Sequence, residues 1–211
     1  MQFRLVETIF SDFSQLEGSC CYCSEETAAE IRRRISGMPL HAIHLIGTGD
    51  YHYQTLFWLE RVGRPFSLIL LDNHPDDQPG AFGPELLSCG NWVLSARRLP
   101  ALQHFLWIRR ASDMDAAALP ATLPLYISVD IDVLSTEYAR TGWDQGGMSL
   151  AELTGLLGSL RARHCGPGSP GIIGADICGG VTRENGGCDA DFELNRRCIN
   201  AIVEAISGNN S

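Results

Sequence analysis

The stretch FSLILLDNHPDD, residues 66–77, joins an apolar run to a cluster of carboxyl and imidazole side chains. Its first half, residues 66–71, has the apolar composition of a buried β-strand. Asp72, His74 and Asp76 follow directly. Crowded at the end of a buried strand, these groups would repel and shift each other's pKa values unless a cation lay between them. The stretch therefore predicts a metal site at the carboxyl end of a sheet strand.

The rest of the chain predicts an α/β protein with a mostly parallel sheet. With 211 residues, 45% of them hydrophobic, the chain can bury one sizeable core, so we expect a single domain over residues 1–211. Strand and helix patterns alternate, which is typical of parallel strands joined by crossover helices. The predicted strands are FRLVETI (3–9), HAIHLI (41–46), FSLILL (66–71), HFLWI (104–108), LYISVDI (125–131) and GIIGADI (171–177).

Three helices are predicted around these strands. Residues 24–35 begin with a serine at the N-cap position, and residues 149–163 begin with a capping box from Ser149 to Glu152. Residues 191–206 form a third amphipathic segment, followed by a polar tail that we expect to be frayed. One face of the second helix carries Leu150, Leu153, Leu157 and Leu160. We expect that face to pack on the sheet.

Composition and charge restrict the partners of the protein. The net charge of −9 and the pI near 5.0 argue against nucleic acid and against an anionic membrane surface. The N-terminal residues lack the pattern of a signal peptide, and no apolar run approaches the ~20 residues of a membrane span. We therefore expect a cytoplasmic protein with a small-molecule substrate, and a homo-oligomer is compatible with the sequence.

Eight cysteines in a chain without an export pattern are expected to be reduced thiols. Three of them, Cys20, Cys21 and Cys23, lie in SCCYCS (19–24) and could supply thiolates to zinc. The second closely spaced pair of a usual zinc site is missing, so we interpret them as ordinary buried or loop cysteines.

Two further strands also end in His or Asp. HAIHLI leads into GTGDYHY (47–53), and LYISV leads into Asp130 and Asp132. A spacing of two places side chains on one side of an extended chain. Alone, the two aspartates would be interpreted as a solvated strand end, and His41 and His44 as ordinary strand residues. Asp130 and Asp132, taken together with Asp72, His74 and Asp76, form an oxygen-rich donor set without a thiolate. Such a set favours Mn²⁺.

These residues resemble the ureohydrolases (arginase, agmatinase and formiminoglutamase), whose fold is shared with the histone deacetylases. The resemblance spans residues 41–177 and rests on three patterns in the same order: GDYH (49–52), DNHPD (72–76) and SVDID (128–132). It implies a three-layer α/β/α fold and two Mn²⁺ ions per chain. The implied ligands of one ion are His52, Asp72, Asp76 and Asp130, and those of the other are Asp72, His74, Asp130 and Asp132, with Asp72 and Asp130 bridging.

The resemblance also implies a reaction. Two adjacent divalent ions can share a water, lower its pKa and direct it as hydroxide at an electrophilic carbon. Asp76 would orient that hydroxide and take its proton. The expected activity is hydrolysis of a linear carbon–nitrogen bond in an amide, amidine or guanidino compound. The alternative is a metal-binding protein of the same fold without hydrolase activity. A single-metal, deacetylase-like site is disfavoured, because His74 and Asp132 would then have no role.

The chain departs from the family pattern at several positions. With His52 as the ligand, Tyr51 stands where the family has an aspartate before it. An ungapped alignment would instead place Tyr51 at the ligand position. We choose His52, because imidazole is the better metal ligand. Gly179 stands where arginases and agmatinases carry a guanidinium-binding glutamate, and Trp92 lies near the place of the proton-shuttle histidine. We therefore expect little urea from L-arginine or agmatine.

The loop after the last strand contains Arg183 and Glu184 between two pairs of glycines. Such a loop could fold over the metals as a lid and bring Arg183 or Glu184 to a bound substrate. Both side chains could equally be solvated on a surface loop.

Overall fold

The computed structural model describes Leu5, Gly83 and residues 7–80 and 86–208. Within these ranges the strands are β1 (Thr8–Phe10), β2 (Tyr22–Cys23), β3 (Ile43–Leu45), β4 (Phe66–Leu71), β5 (Leu87–Ser88), β6 (Leu102–Ile108), β7 (Leu125–Asp130) and β8 (Ile172–Cys178). Six of them form one sheet in the order β1-β3-β8-β7-β4-β6, and every neighbouring pair in it is parallel. The predicted mostly parallel sheet is confirmed.

Each of the six predicted strands overlaps a strand of this sheet. The first is displaced: it was predicted over residues 3–9, part of which lies outside the described residues, and β1 begins only at Thr8. The tail predicted after residue 206 is likewise described only as far as Gly208.

The helices of the described chain are α1 (Glu25–Ile35), α2 (Gln54–Leu59), α3 (Trp92–Ala96), α4 (Leu150–His164) and α5 (Asp189–Ser207). The predicted caps are present: the Ser24 side chain accepts a hydrogen bond from the Thr27 amide, and Ser149 and Glu152 form the capping box of α4. Gly208 ends α5 in the left-handed conformation that favours glycine. No helix in the described part of the chain is long and apolar enough to span a membrane.

Hydrophobic cores cover both faces of the sheet, so the fold has three layers. Alternate residues of β4 point to opposite faces, with Ile69 and Leu71 on one side and Leu68 and Leu70 on the other. The first side packs against α4 and α5, and the second against α1, α2 and α3. Both faces of the interior strands β4, β7 and β8 are therefore buried, which explains their mostly apolar sequences, whereas the edge strands β1 and β6 are partly exposed.

A small antiparallel sheet lies beside the main one. It consists of β2 and β5, in which Tyr22 pairs with Ser88 and Cys23 with Leu87. Its strands have two residues each, too short for an alternation of apolar and polar residues to be visible in the sequence. This sheet brings the SCCYCS segment to the loop that precedes α3.

Candidate metal centre

Three segments at the carboxyl ends of sheet strands bring six side chains together. β4 runs into Asp72, His74 and Asp76; β7 ends at Asp130, and Asp132 lies in the 3₁₀ turn that follows. A 3₁₀ turn over Gly49–Tyr51, after β3, places His52. Because these strands run parallel, their carboxyl ends share one edge of the sheet. We call the group the His–Asp cluster; its members are His52, Asp72, His74, Asp76, Asp130 and Asp132.

The first half of the cluster surrounds His52, which is buried. Its Nδ1 atom lies 3.1 Å from Asp72 Oδ2, 3.1 Å from Asp76 Oδ2 and 3.8 Å from Asp130 Oδ2. The preceding residue, Tyr51, instead packs against the core formed by α1, α2 and α3. The geometry therefore favours His52 over Tyr51 as the donor at this position.

The second half surrounds His74, which is partly exposed. Its Nδ1 atom lies 2.9 Å from Asp132 Oδ2 and 3.6 Å from Asp72 Oδ1. Asp72 thus presents one carboxylate oxygen to each half. All six predicted residues lie in one place. Ligand atoms of five of them form two overlapping groups, His52–Asp72–Asp76 and Asp72–His74–Asp132, each within 4.8 Å, and Asp130 is grouped with His52.

The cluster has an excess of buried negative charge, as its pKa shifts show. Burial and the neighbouring Asp132 and Asp72 raise the pKa of Asp130 well above its usual value. Burial raises the pKa of Asp132 to about 6, and burial and Asp72 raise that of Asp76. Hydrogen bonds to Asp132 and Asp72 raise the pKa of His74 to about 10. Without an added cation the cluster retains protons, so its charge and its hard oxygen donors fit divalent ions.

Hydrogen bonds beneath the cluster define the tautomer of His52. Ser128 Oγ donates to Asp176 Oδ1 at 2.7 Å, so its lone pairs face His52 Nε2 at 2.9 Å. The same Asp176 oxygen also accepts from the Thr55 hydroxyl at 3.1 Å, as a carboxylate does, although burial raises the pKa of Asp176 to about 6. Although burial lowers the pKa of His52, its neighbours Cys178, Asp72 and Asp76 raise it well above its usual value, so without a metal Nδ1 carries a proton and donates to these carboxylates. When an ion takes the place of that proton, the remaining proton would lie on Nε2 and the Nδ1 lone pair would face the ion. This is the tautomer that a metal ligand requires.

Sequence reasoning missed Ser128 and Asp176 as partners of His52, and it missed Cys178 altogether. Asp130 and Cys178 pair across β7 and β8, and Cys178 Sγ donates to Asp130 Oδ2 at 3.2 Å. Its sulfur, with His52 and Asp130, forms another group of atoms within 4.8 Å. A thiol therefore adjoins the predicted donor set, and burial raises its pKa well above the usual value, so it is protonated here. The spacing of two between Asp176 and Cys178, matching Ser128 and Asp130, was the available signal.

Trp92 is a hydrogen-bond donor to the cluster. Its buried indole Nε1–H donates to Asp76 Oδ2 at 2.6 Å, and its ring lies 5.1 Å from that of His52. An indole cannot carry protons to solvent as a histidine does, because it donates only. Asp76 itself has a positive φ of 48°, so the loop after β4 holds it in a strained conformation.

His44, by contrast, is a core residue, as the sequence predicted. Its ring stacks on Trp58 with centroids 3.6 Å apart, and Nε2 lies 2.9 Å from the carbonyl of Pro39. Burial lowers its pKa to about 4, so it is neutral at physiological pH. His41 is exposed.

An open cavity of about 370 Å³ gives access to the cluster. Beyond the cluster, its walls include Gln78, Cys89, Trp143 and Asp144. The Trp143 ring lies edge-on to His74 at 6.3 Å. Asp144 is exposed and lines this cavity.

Gly179 is closely packed against the cluster. A Cβ atom there would lie 2.5 Å from Asp130 Oδ1 and 2.7 Å from Ile131 Cγ1, and φ is +98°. A side chain at this position would therefore displace Asp130. Arg183 forms an ion pair with Asp189 and lies over the Phe192 ring, and Glu184 is exposed. In this structure both side chains therefore lie on a surface loop.

No protein-family model matches the chain. An uncharacterized protein of Thermotoga maritima is 30% identical over 189 residues, an alignment that covers 83% of this chain and 71% of that protein. The chain belongs to the same family as this Thermotoga protein.

Solved structures identify the fold of this family member. Arginase from Bacillus caldovelox matches with a TM-score of 0.63 over 93% of this chain and 80% of its own, at 14% identity. A hypothetical agmatinase from Burkholderia thailandensis matches with a TM-score of 0.57 over 89% of this chain, at 21% identity, and the chain spans 65% of its length. The predicted ureohydrolase resemblance is confirmed at the level of the fold.

Proposed function

We propose that the protein is a binuclear manganese hydrolase of the ureohydrolase type, which cleaves a linear carbon–nitrogen bond in a small molecule. The observation that supports this most directly is the His–Asp cluster, in which one aspartate, Asp72, faces both halves. Four carboxylates contribute about −4, and two divalent ions would contribute about +4, so the loaded cluster would be close to neutral. The likeness to ureohydrolase structures supports the same proposal through the fold.

Under this proposal the six residues divide between two ions. The residues that would hold the first are His52, Asp72, Asp76 and Asp130; those that would hold the second are Asp72, His74, Asp130 and Asp132. When bound, the ions would supply a water of lowered pKa as nucleophile.

The chain's own residues would position the groups around that water. Asp76 would take the released proton on Oδ1, because the Trp92 indole already occupies its Oδ2. Ser128 would hold His52 with Nδ1 unprotonated. The cavity wall would bind the remainder of the substrate.

The substrate we propose is a small amide, amidine or guanidino compound other than arginine. Gly179 cannot carry the acid that grips a guanidinium, since any side chain there meets Asp130. Asp144 is placed to bind a cationic group of the substrate at the open side of the cavity. L-Arginine and agmatine should therefore release little urea.

Metal content is the decisive test of this proposal. Elemental analysis of protein reconstituted with Mn²⁺ should approach two ions per chain, and at most one ion under saturating metal would contradict it.

The loaded protein should then release ammonia or urea from a compound in a panel of amides, amidines and guanidino compounds, and Asp76→Asn should abolish the release. Robust urea from arginine would overturn the substrate argument.

The alternative function is metal binding without hydrolysis. It is favoured by two observations: Gly179 replaces the guanidinium-binding acid, and Trp92 cannot shuttle protons. Two bound ions without release from any compound of the panel would favour it.

The cytoplasmic location stays a prediction, supported by eight cysteines that are all free thiols.

A further inference from the structure

A second group of potential metal ligands lies at the rim of the cavity, outside the His–Asp cluster. Cys20 Sγ lies 4.0 Å from Cys21 Sγ, and Cys21 Sγ lies 3.3 Å from Asp50 Oδ1. All three ligand atoms are within 4.8 Å of one another. Cys21 has a positive φ of 59°, which is uncommon outside glycine, so this backbone conformation accompanies the approach of its thiol to Asp50.

The distances between these atoms suit tetrahedral zinc. Two sulfur atoms bound at about 2.3 Å in a tetrahedron lie about 3.8 Å apart, and a sulfur and a carboxylate oxygen lie about 3.5 Å apart. The separations of 4.0 and 3.3 Å differ from these values by only a few tenths of an ångström. The donors are therefore arranged before any ion binds.

The chemistry of the donors distinguishes this group from the His–Asp cluster. Thiolates are soft ligands that select zinc, whereas the carboxylate-rich cluster suits manganese. Two thiolates and a carboxylate would carry about −3, which a divalent cation would largely offset. The sequence offered Cys23 as the third thiol, but Cys23 is buried and its Sγ is directed to the Ser24 carbonyl. Asp50, distant in sequence, takes its place.

We propose that Cys20, Cys21 and Asp50 bind one zinc ion at the rim of the cavity. The fourth ligand would be water, because the Cys89 sulfur is not among the atoms within 4.8 Å of one another, although the Cys89 amide donates to the Cys21 carbonyl at 2.9 Å. The site would join the segment around β2 to the turn that carries His52.

The zinc site is connected to the wall of the cavity through Asp50. Trp143 Nε1 donates to Asp50 Oδ1 at 3.1 Å, and Thr48 Oγ1 donates to Asp50 Oδ2 at 3.0 Å. Zinc bound to Asp50 would therefore hold the indole that faces His74. Its role would be structural, since these atoms do not belong to the His–Asp cluster.

Cadmium is the probe for this site, because cadmium–thiolate bonds absorb in the near ultraviolet and carboxylate or imidazole ligands give no such band. Titration of the metal-free protein with Cd²⁺ should produce the band and saturate it at one equivalent. The double variant Cys20→Ser/Cys21→Ser should lose most of the band. With Zn²⁺, the same variant should retain one ion fewer per chain than the unmodified protein.

Two other thiols provide controls. Cys188 is exposed at the start of α5, where serine is a good N-cap, so Cys188→Ser should leave the band unchanged. Cys178→Ser removes the thiol beside Asp130. Any part of the cadmium–thiolate band that this variant loses therefore comes from the His–Asp cluster and not from Cys20 and Cys21. Circular dichroism should show that each variant is folded. If the double variant does not fold, Cys20→Ser alone replaces it in the test, because Cys20 is exposed, and this variant should weaken the band.

A band that keeps its intensity in Cys20→Ser/Cys21→Ser, or no band in the unmodified protein, would overturn the zinc site. Either result leaves the proposed hydrolase untouched, since its Mn²⁺ content depends on other residues. Conversely, loss of the band with unchanged Mn²⁺ content would establish two independent metal sites.

Discussion

Ser128 contacts Nε2 of His52, the nitrogen opposite the one that faces the carboxylates. Its hydroxyl accepts from Nε2 and donates to Asp176, so the proton of a neutral imidazole is kept away from the cluster. Ligand histidines in metal sites are commonly oriented by such a partner on the other nitrogen. Ser128 is thus a positioning residue and not a ligand.

Ser128→Ala should weaken Mn²⁺ binding at the half of the cluster that contains His52 by about 10- to 100-fold, because the tautomer is no longer fixed. Titration with Mn²⁺ and elemental analysis would measure the loss. Thr55→Val is the matched control, since Thr55 donates to the same oxygen of Asp176. Equal losses in the two variants would mean that Ser128 acts through Asp176 and not through His52.

Cys178 should influence metal preference. Its sulfur lies beside His52 and Asp130, and a soft donor favours zinc over manganese. Cys178→Ala should shift the Zn²⁺-to-Mn²⁺ preference of the centre toward manganese by about tenfold. Competition between the two ions, followed by elemental analysis, checks this, and an unchanged ratio would show that the thiol only donates a hydrogen bond to Asp130.

At the scale of secondary structure, the buried strands were the most predictable elements. β4, β7 and β8 are covered on both faces, so their sequences are mostly apolar, and β4 and β7 lead directly into the aspartates of the cluster. α1 and α4 were predictable because serine caps mark their first turns. By contrast, α2 and α3 have only six and five residues, too few to show a helical period.

The strand ends also made the His–Asp cluster predictable, whereas its supporting contacts were not. Asp72, Asp130 and their neighbours follow strands whose carboxyl ends must share an edge. The bonds from His52 to Ser128 and from Ser128 to Asp176 depend instead on the register of β7 and β8, which pairs Ser128 with Asp176. The contact of Asp50 with Cys21 depends in the same way on tertiary packing.

The turn after β8 limits what can be engineered at the site. Gly179→Ala should destabilise the protein by about 1–3 kcal/mol, because it combines a positive φ with a Cβ 2.5 Å from Asp130 Oδ1. It should also reduce Mn²⁺ content. Urea denaturation and elemental analysis measure the two effects. Gly63→Ala is the control, since its Cβ would meet nothing within 4 Å; equal losses of stability would contradict the argument.

For the whole molecule, the buried charges predict that the metal-free protein is less stable at higher pH. Burial raises the pKa of Asp132 to about 6 from 3.8, so folding is increasingly penalised as pH rises between these values. Hydrogen bonds raise the pKa of His74 to about 10 from 6.5, so its stabilising contribution is lost as pH rises through that interval. The pKa of Asp72 is lowered to about 2, so this carboxylate makes the protein more stable as pH rises, but only below pH 4.

Chemical denaturation in a chelator should therefore give a lower free energy of unfolding at pH 8 than at pH 5.5. One group shifted by about two units contributes roughly 3 kcal/mol at full effect. Saturating Mn²⁺ should reverse much of the trend, since the ions replace the protons. Asp132→Asn should reduce the slope in chelator. A metal-free protein that becomes more stable from pH 5.5 to 8 would contradict the prediction.

The strand order has a consequence for synthesis of the protein. β8 is the last strand to leave the ribosome, yet it lies in the interior of the sheet between β3 and β7. Until it is inserted, the segment that carries His52 belongs to one half-sheet, and the segments that carry Asp72 and Asp130 belong to the other. The nascent chain cannot gather these donors before residue 178 has been made. We therefore expect the donors of the metal centre to come together only when β8 joins the two parts of the sheet.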